Sequence, residues 1–203
     1  AMRDLEIRGA GTLLGAEQHG HMQAVGYDLY CKMLDEAVRE EKGLKQQEDF
    51  ETAIDLEVNA FIPPKYIPNE YQKLDIYKRI AGIESEEEYE DMLEELMDRF
   101  GEPPKAVQNL LAIANLKALA HKAYIKEIKQ NGTDVKITMF ERAKIDGAGF
   151  PQILDKYKNN LKMKLDEVPY FMVSLKGRRP KEVLDVLNIL HDILMDFQNL
   201  ILK

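Results

Sequence analysis

Four histidines and one cysteine are the side chains of this 203-residue sequence best suited to metal binding or nucleophilic chemistry, and their spacing gives them little to share. His19 and His21 lie two residues apart, which on a helix turns them to different faces. His121 and His191 are remote in sequence, and Cys31 stands alone. Zinc sites gather their ligands at short, definite spacings, and no such set is present. Gly9-Ala10-Gly11-Thr12-Leu13-Leu14-Gly15 invites comparison with a phosphate-binding loop. A dinucleotide loop, however, follows a strand and carries a third glycine at fixed spacing. Here the preceding residues, Met2 to Arg8, are short and charged, and no Gly-Lys-Ser/Thr follows anywhere. Carboxylates are abundant, yet nothing local selects an acid–base pair. The most basic local run, Lys176-Gly177-Arg178-Arg179, reads as a turn with exposed charge, with phosphate contact as the sharper alternative. Cofactor, metal and catalytic residues are therefore expected to be none in this chain.

Composition narrows the class further. Hydrophobic residues make up 45% and charged residues 32%, the balance of a folded soluble domain. No apolar run approaches the ~20 residues of a membrane span, and no signal peptide opens the sequence. A lone cysteine suits a reducing compartment, so the expected location is cytoplasmic. The formal net charge is -8. Non-specific DNA affinity comes from Lys and Arg releasing counterions, so an acidic chain makes nucleic-acid contact only locally or through a partner.

The elements are legible from periodicity. Met22, Val25, Leu29, Met33 and Ala37 recur at helical spacing, giving an amphipathic helix over 22–41 closed near Gly43. The polar stretch after Lys45 marks a boundary, so the chain divides into residues 1–45 and 50–203. Alternation from Ile54 to Ala60 predicts a half-buried strand, stopped by Pro63 and Pro64. Tyr71, Leu74, Tyr77 and Ile80 predict a helix ending at Gly82. Ser85 with Glu88 forms a capping box, opening a helix whose apolar side is Tyr89, Met92, Leu93, Leu96 and Phe100. Pro103 and Pro104 open a further helix, apolar nearly all round and so central and buried. Gln130-Asn131-Gly132-Thr133 between alternating segments predicts a hairpin. A helix near Phe150, strands at Leu161–Leu165 and Tyr170–Leu175, and a last helix from about Pro180 complete an α+β chain, helix-rich with about five short strands. Residues 84–102 hold ten carboxylates against one arginine. On an amphipathic helix such a run is ordinarily a solvated face; the sharper reading is an acidic docking surface.

The opening segment, Arg3-Asp4-Leu5-Glu6-Ile7-Arg8-Gly9-Ala10-Gly11-Thr12-Leu13-Leu14-Gly15 with Gln18 and Gly20, resembles the translocation motif shared by RecG-type helicases and the transcription-repair coupling factors (Mfd). Ala at position 10, Val25-Gly26-Tyr27-Asp28-Leu29-Tyr30, Ile62-Pro63-Pro64-Lys65-Tyr66-Ile67-Pro68 and Tyr77-Lys78-Arg79-Ile80 are more similar to the coupling factors.

The resemblance implies a division of labour. Residues 1–45 would hold the later part of the motif, in which Arg8 and Gln18 transmit motor state while Gly9, Gly11, Gly15 and Gly20 allow tight turns. The motor, with its ATP, and the motif's earlier helix would precede Ala1 in a longer protein, leaving Arg8 and Gln18 with nothing to couple to here. Residues 50–203 would be a regulatory domain that docks on an N-terminal UvrB-like module and hides a UvrA-recruiting surface until the motor engages stalled RNA polymerase on duplex DNA. The alternative is the tail of a RecG-type branch-migration helicase. Either way no enzyme activity is expected of this chain, and no membrane partner.

Overall fold

The structure, a computed structural model, describes residues 50–176 and 183–202. The motif residues Arg8, Gly9, Gly11, Gly15, Gln18 and Gly20 lie outside them, as do His19, His21, Cys31, the helix expected over 22–41 and the cluster residues 177–179. Among the described residues are five α-helices and a five-stranded mixed sheet, an α+β arrangement as expected. The chain divides into two compact units. One contains residues 58–114; the other contains residues 50–57 and everything described from Asn115 onward. The division falls inside a single helix, α3 (Lys105–Lys122).

The first unit holds α1 (Glu70–Ala81), α2 (Glu86–Phe100) and the start of α3. Asn69 caps α1, its side chain accepting from the Gln72 N–H at 3.0 Å, and Gly82 ends the helix as expected. The buried side of α1 is rotated from the predicted one. Tyr71 is 83% exposed, whereas Lys73, Ile76, Tyr77 and Ile80 are buried. Tyr77 and Ile80 belong to both sides, and the Tyr77 hydroxyl accepts from the buried Ile62 N–H at 2.8 Å. Lys73 Nζ lies 3.4 Å from Glu70 Oε1. Buried Ile62, Ile67, Ile83, Leu96, Val107 and Leu110 complete the core of this unit.

The second unit is built on the sheet, in the order β1-β2-β3-β5-β4, where β1 is Ala53–Asp55, β2 Ile125–Asn131, β3 Asp134–Met139, β4 Leu161–Lys164 and β5 Tyr170–Ser174. Only the β1–β2 pair is parallel. The strand expected over 54–60 is thus shorter. Beyond Asp55 side chains replace the ladder: the Glu57 N–H donates to Gln130 Oε1 at 3.0 Å, and the Gly132 N–H donates to Glu57 Oε1 at 3.1 Å. The β2–β3 hairpin forms as predicted, although Asn131 pairs with Asp134, so Gly132 and Thr133 make the turn. Gly132 has φ +61°, a left-handed conformation that glycine adopts without a Cβ penalty.

One face of this sheet is apolar. Ile128, Val135, Ile137, Phe171, Val173 and Leu161 are all buried. Helices α4 (Phe150–Tyr157) and α5 (Val183–Gln198) supply Phe150 and Phe197, whose rings lie 5.0 Å and 4.7 Å from Phe171. Val186, Leu187, Leu190, Leu194 and Phe197 of α5 are buried. Phe50 stacks on His121 (4.6 Å) and Phe140 (4.3 Å), and Thr52 donates to the Ile125 carbonyl at 2.7 Å.

Candidate functional site

The densest run of like charge, Glu84 to Glu102, is organised by α2. The helix starts where a capping residue and an apolar stripe coincide. Ser85 Oγ accepts from the Glu88 N–H at 3.2 Å, and the Glu88 carboxylate accepts from the Glu84 N–H at 2.7 Å. The returning bond of the capping box therefore reaches one residue further back than the usual partner, the cap's own N–H. Glu86, Glu87 and Glu88 occupy the first turn, where the partial positive charge of the unpaired N–H groups favours carboxylates. Gly101 ends the helix, its N–H donating to the Met97 carbonyl at 3.1 Å. The Tyr66 hydroxyl donates to the carbonyls of Leu96 (3.2 Å) and Gly101 (2.8 Å), fixing the last turn.

Met92 and Leu96 anchor the inward side of α2, leaving Glu87, Glu90, Asp91, Glu94 and Asp98 exposed. Met97 is 52% exposed as well. Glu95 departs from this pattern. Its carboxylate takes both guanidinium nitrogens of Arg79 on α1 and Arg99 Nη1 at 3.1 Å. The hydrogen bonds from Arg79, then those from Arg99, hold the Glu95 carboxyl below the usual glutamate range. Burial pushes the Tyr89 hydroxyl up, and the neighbouring charges of Glu86 and Glu90 add to that. The helix thus carries one neutralised carboxylate that fastens it to α1 and a band of free ones facing outward. Such a surface can hold a basic protein face through many weak, salt-sensitive contacts; it holds no acid–base couple.

The remaining candidates do not converge. His121 lies beside Phe50 and within 3.2 Å of Thr52 Oγ1, while His191 is 3.9 Å from the Asp192 carboxylate. Among the described residues no group of three His, Cys, Asp or Glu side chains could hold a metal ion. None of the described helices is long and apolar enough to cross a membrane. Sequence reasoning found the acidic helix but missed the Arg79–Glu95 clasp, because sixteen residues separate the partners and neither stands in a motif.

Comparison with known proteins agrees with this architecture. The TRCF domain family matches residues 56–150. The transcription-repair-coupling factor of Bacillus subtilis (strain 168) is 41% identical over 189 residues, which is 91% of this chain and 16% of that protein. Its counterpart in Staphylococcus haemolyticus (strain JCSC1435) is 43% identical over 145 residues, 70% of this chain and 12% of that protein. The chain thus spans a small part of the length of these relatives. The crystal structure of the C-terminal domain of transcription-repair coupling factor superposes with a TM-score of 0.61 at 26% identity, covering 74% of this chain and 95% of that one. By sequence and by fold alike, the chain belongs to the transcription-repair-coupling factor family and represents its C-terminal domain.

Proposed function

We propose that this domain is the regulatory and coupling end of an ATP-driven DNA translocase that links removal of stalled RNA polymerase to nucleotide excision repair in the cytoplasm. In this reading the domain catalyses nothing. It docks on the N-terminal UvrB-like module of the same polypeptide and covers the surface that recruits UvrA. The segment with Arg8, Gly9, Gly11, Gly15, Gln18 and Gly20 couples the motor's ATP cycle to movement on duplex DNA.

The observation that supports docking is the outward band on α2. Glu87, Glu90, Asp91, Glu94 and Asp98 are exposed, as is Met97, on a helix capped at its start and clasped to α1. A regulatory contact must open, so it has to be modest and polar, and a band of exposed carboxylates with Met97 at its edge fits that need. Charge of this kind contributes to association rate and partner choice more than to raw affinity.

The test is binding in trans. The 203-residue chain should bind a separately produced UvrB-like module at low salt, and that binding should weaken steeply as salt rises. Replacing Glu94→Lys and Asp98→Lys together should reduce it at least tenfold while leaving the circular dichroism unchanged. Failure of the unaltered chain to bind at high micromolar concentration and low salt would count decisively against the docking reading.

A further inference from the structure

The sheet of the second unit has a second face that the docking reading does not use. Register places six side chains on it in two rows across three strands: Lys136–Met172–Lys162 and Thr138–Tyr170–Lys164. Lys136, Lys162 and Lys164 are exposed, and Tyr170 and Met172 are half-buried between them. No carboxylate interrupts the six. The nearest along the face are Glu127, one strand beyond Thr138, and Asp134, at the end beside Ser174; Asp166 and Glu167 lie in the turn after Lys164. Among the described residues no ion pair engages any of the three lysines. The Lys136 ammonium lies 4.3 Å from the centroid of the Tyr170 ring, so that ring already offers its face to a cation. In a chain of net charge -8, this is a cationic patch set around an aromatic platform.

We propose that this face binds single-stranded polynucleotide. Lys162 and Lys164 stand roughly 7 Å apart along β4, and Lys136 stands roughly 10 Å across the sheet from Lys162, so the three cations border a shallow, extended track. Phosphates pair with the lysines, and a base stacks on Tyr170 against Met172, as sequence-tolerant single-strand binders stack bases on aromatic side chains. A duplex keeps its base faces inside and so makes no use of Tyr170. An acidic peptide uses the lysines but gains nothing from the ring face. The single strand is the occupant that uses both.

The test is fluorescence anisotropy of a labelled oligodeoxythymidylate titrated with the whole chain. Three lysine–phosphate contacts predict weak binding, about 10–100 µM at low salt, with a log–log salt slope near -2. Lys162→Gln with Lys164→Gln should weaken binding about tenfold and bring the slope to about -0.7. Tyr170→Ala should weaken it about tenfold with the slope unchanged, and Tyr170→Phe should restore it. Backbone amide shifts of the unaltered chain, followed by NMR during the titration, should move at Lys136, Lys162, Lys164, Tyr170 and Met172, which tests the site even where a variant folds poorly. The proposal is overturned by no binding in the high micromolar range, by a duplex of the same length or polyglutamate binding equally well, or by shifts confined to other strands. Self-association of the chain through this face, seen as a concentration-dependent mass that the oligonucleotide does not reverse, overturns it too.

Discussion

Arg79 on α1 grips Glu95 on α2 with both terminal guanidinium nitrogens, and Arg99 Nη1 approaches the same carboxylate from one turn further along. The clasp ties two helices of the first unit at a half-exposed position, where isolated ion pairs contribute little and forked ones contribute more. A double-mutant cycle on Arg79→Ala and Glu95→Ala should give a coupling of about 0.5–1 kcal/mol at low salt, diminishing in molar salt. The pH dependence has a definite sign. Glu95 is held below its unfolded value, so its contribution is present above the ordinary glutamate range and is lost as acid carries the pH down through the lowered folded value. Acid titration of the Glu95→Gln variant should therefore lack part of the destabilisation shown by the unaltered chain.

The same helix offers a cleaner test at its start. Ser85 Oγ satisfies the Glu88 N–H, which otherwise has no partner inside the helix. Ser85→Ala should cost about 1 kcal/mol in chemical denaturation, and Ser85→Gly only a few tenths. No loss for Ser85→Ala would mean that the hydroxyl contributes nothing as a cap.

The capping box, the Gly82 helix end and the β2–β3 hairpin were all legible, because each is set by residues within a turn or two of one another. The resemblance of Ile62 to Pro68 and Tyr77 to Ile80 to the coupling factors added the family. What was not legible depends on partners far away in sequence. The burial of Lys73 instead of Tyr71 is set by what packs against α1, and α1's own pattern cannot reveal it. The early end of β1 follows from Glu57 exchanging bonds with Gln130 and Gly132. The lysines around Tyr170 are scattered over β3 and β4, and only the strand order brings them onto one face.

Two glycines with positive φ make contrasting predictions. Gly101 has φ 84° and ψ -170°, a region essentially closed to any residue with a Cβ. Gly132, at φ +61°, lies where Asn and Asp are also tolerated in tight turns. An added Cβ would meet nothing within 4 Å at either site, so the cost is conformational, not steric crowding by neighbours. Gly132→Asn should cost less than Gly132→Ala, itself about 1 kcal/mol. Gly101→Asn should give no such relief, with both substitutions there losing about 1–3 kcal/mol in thermal or urea unfolding.

Tyr157 on α4 gives a prediction at the other end of the pH scale. Its hydroxyl donates to Asp196 Oδ2 on α5 at 2.5 Å, and Lys156 Nζ reaches the same oxygen at 2.7 Å. Burial, then the Asp196 hydrogen bond and its charge, push the Tyr157 hydroxyl up to about 12. A raised value means that the folded state favours the protonated phenol. Its contribution is complete below the unfolded tyrosine value of about 10 and disappears as the pH rises through the folded value. In an alkaline titration followed by tyrosinate absorbance, Tyr157 should contribute a late step, above those of the exposed tyrosines. Asp196→Asn should bring that step back toward the others, since it removes the charge while leaving an acceptor in place. Tyr157→Phe should cost about 1.5–3 kcal/mol, the range for a hydrogen bond to a charged group, because it leaves the half-buried carboxylate with Lys156 alone. If all nine tyrosines titrate together in the unaltered chain, the bond joining α4 to α5 does not persist in solution, and the Tyr157→Phe loss should then be small as well.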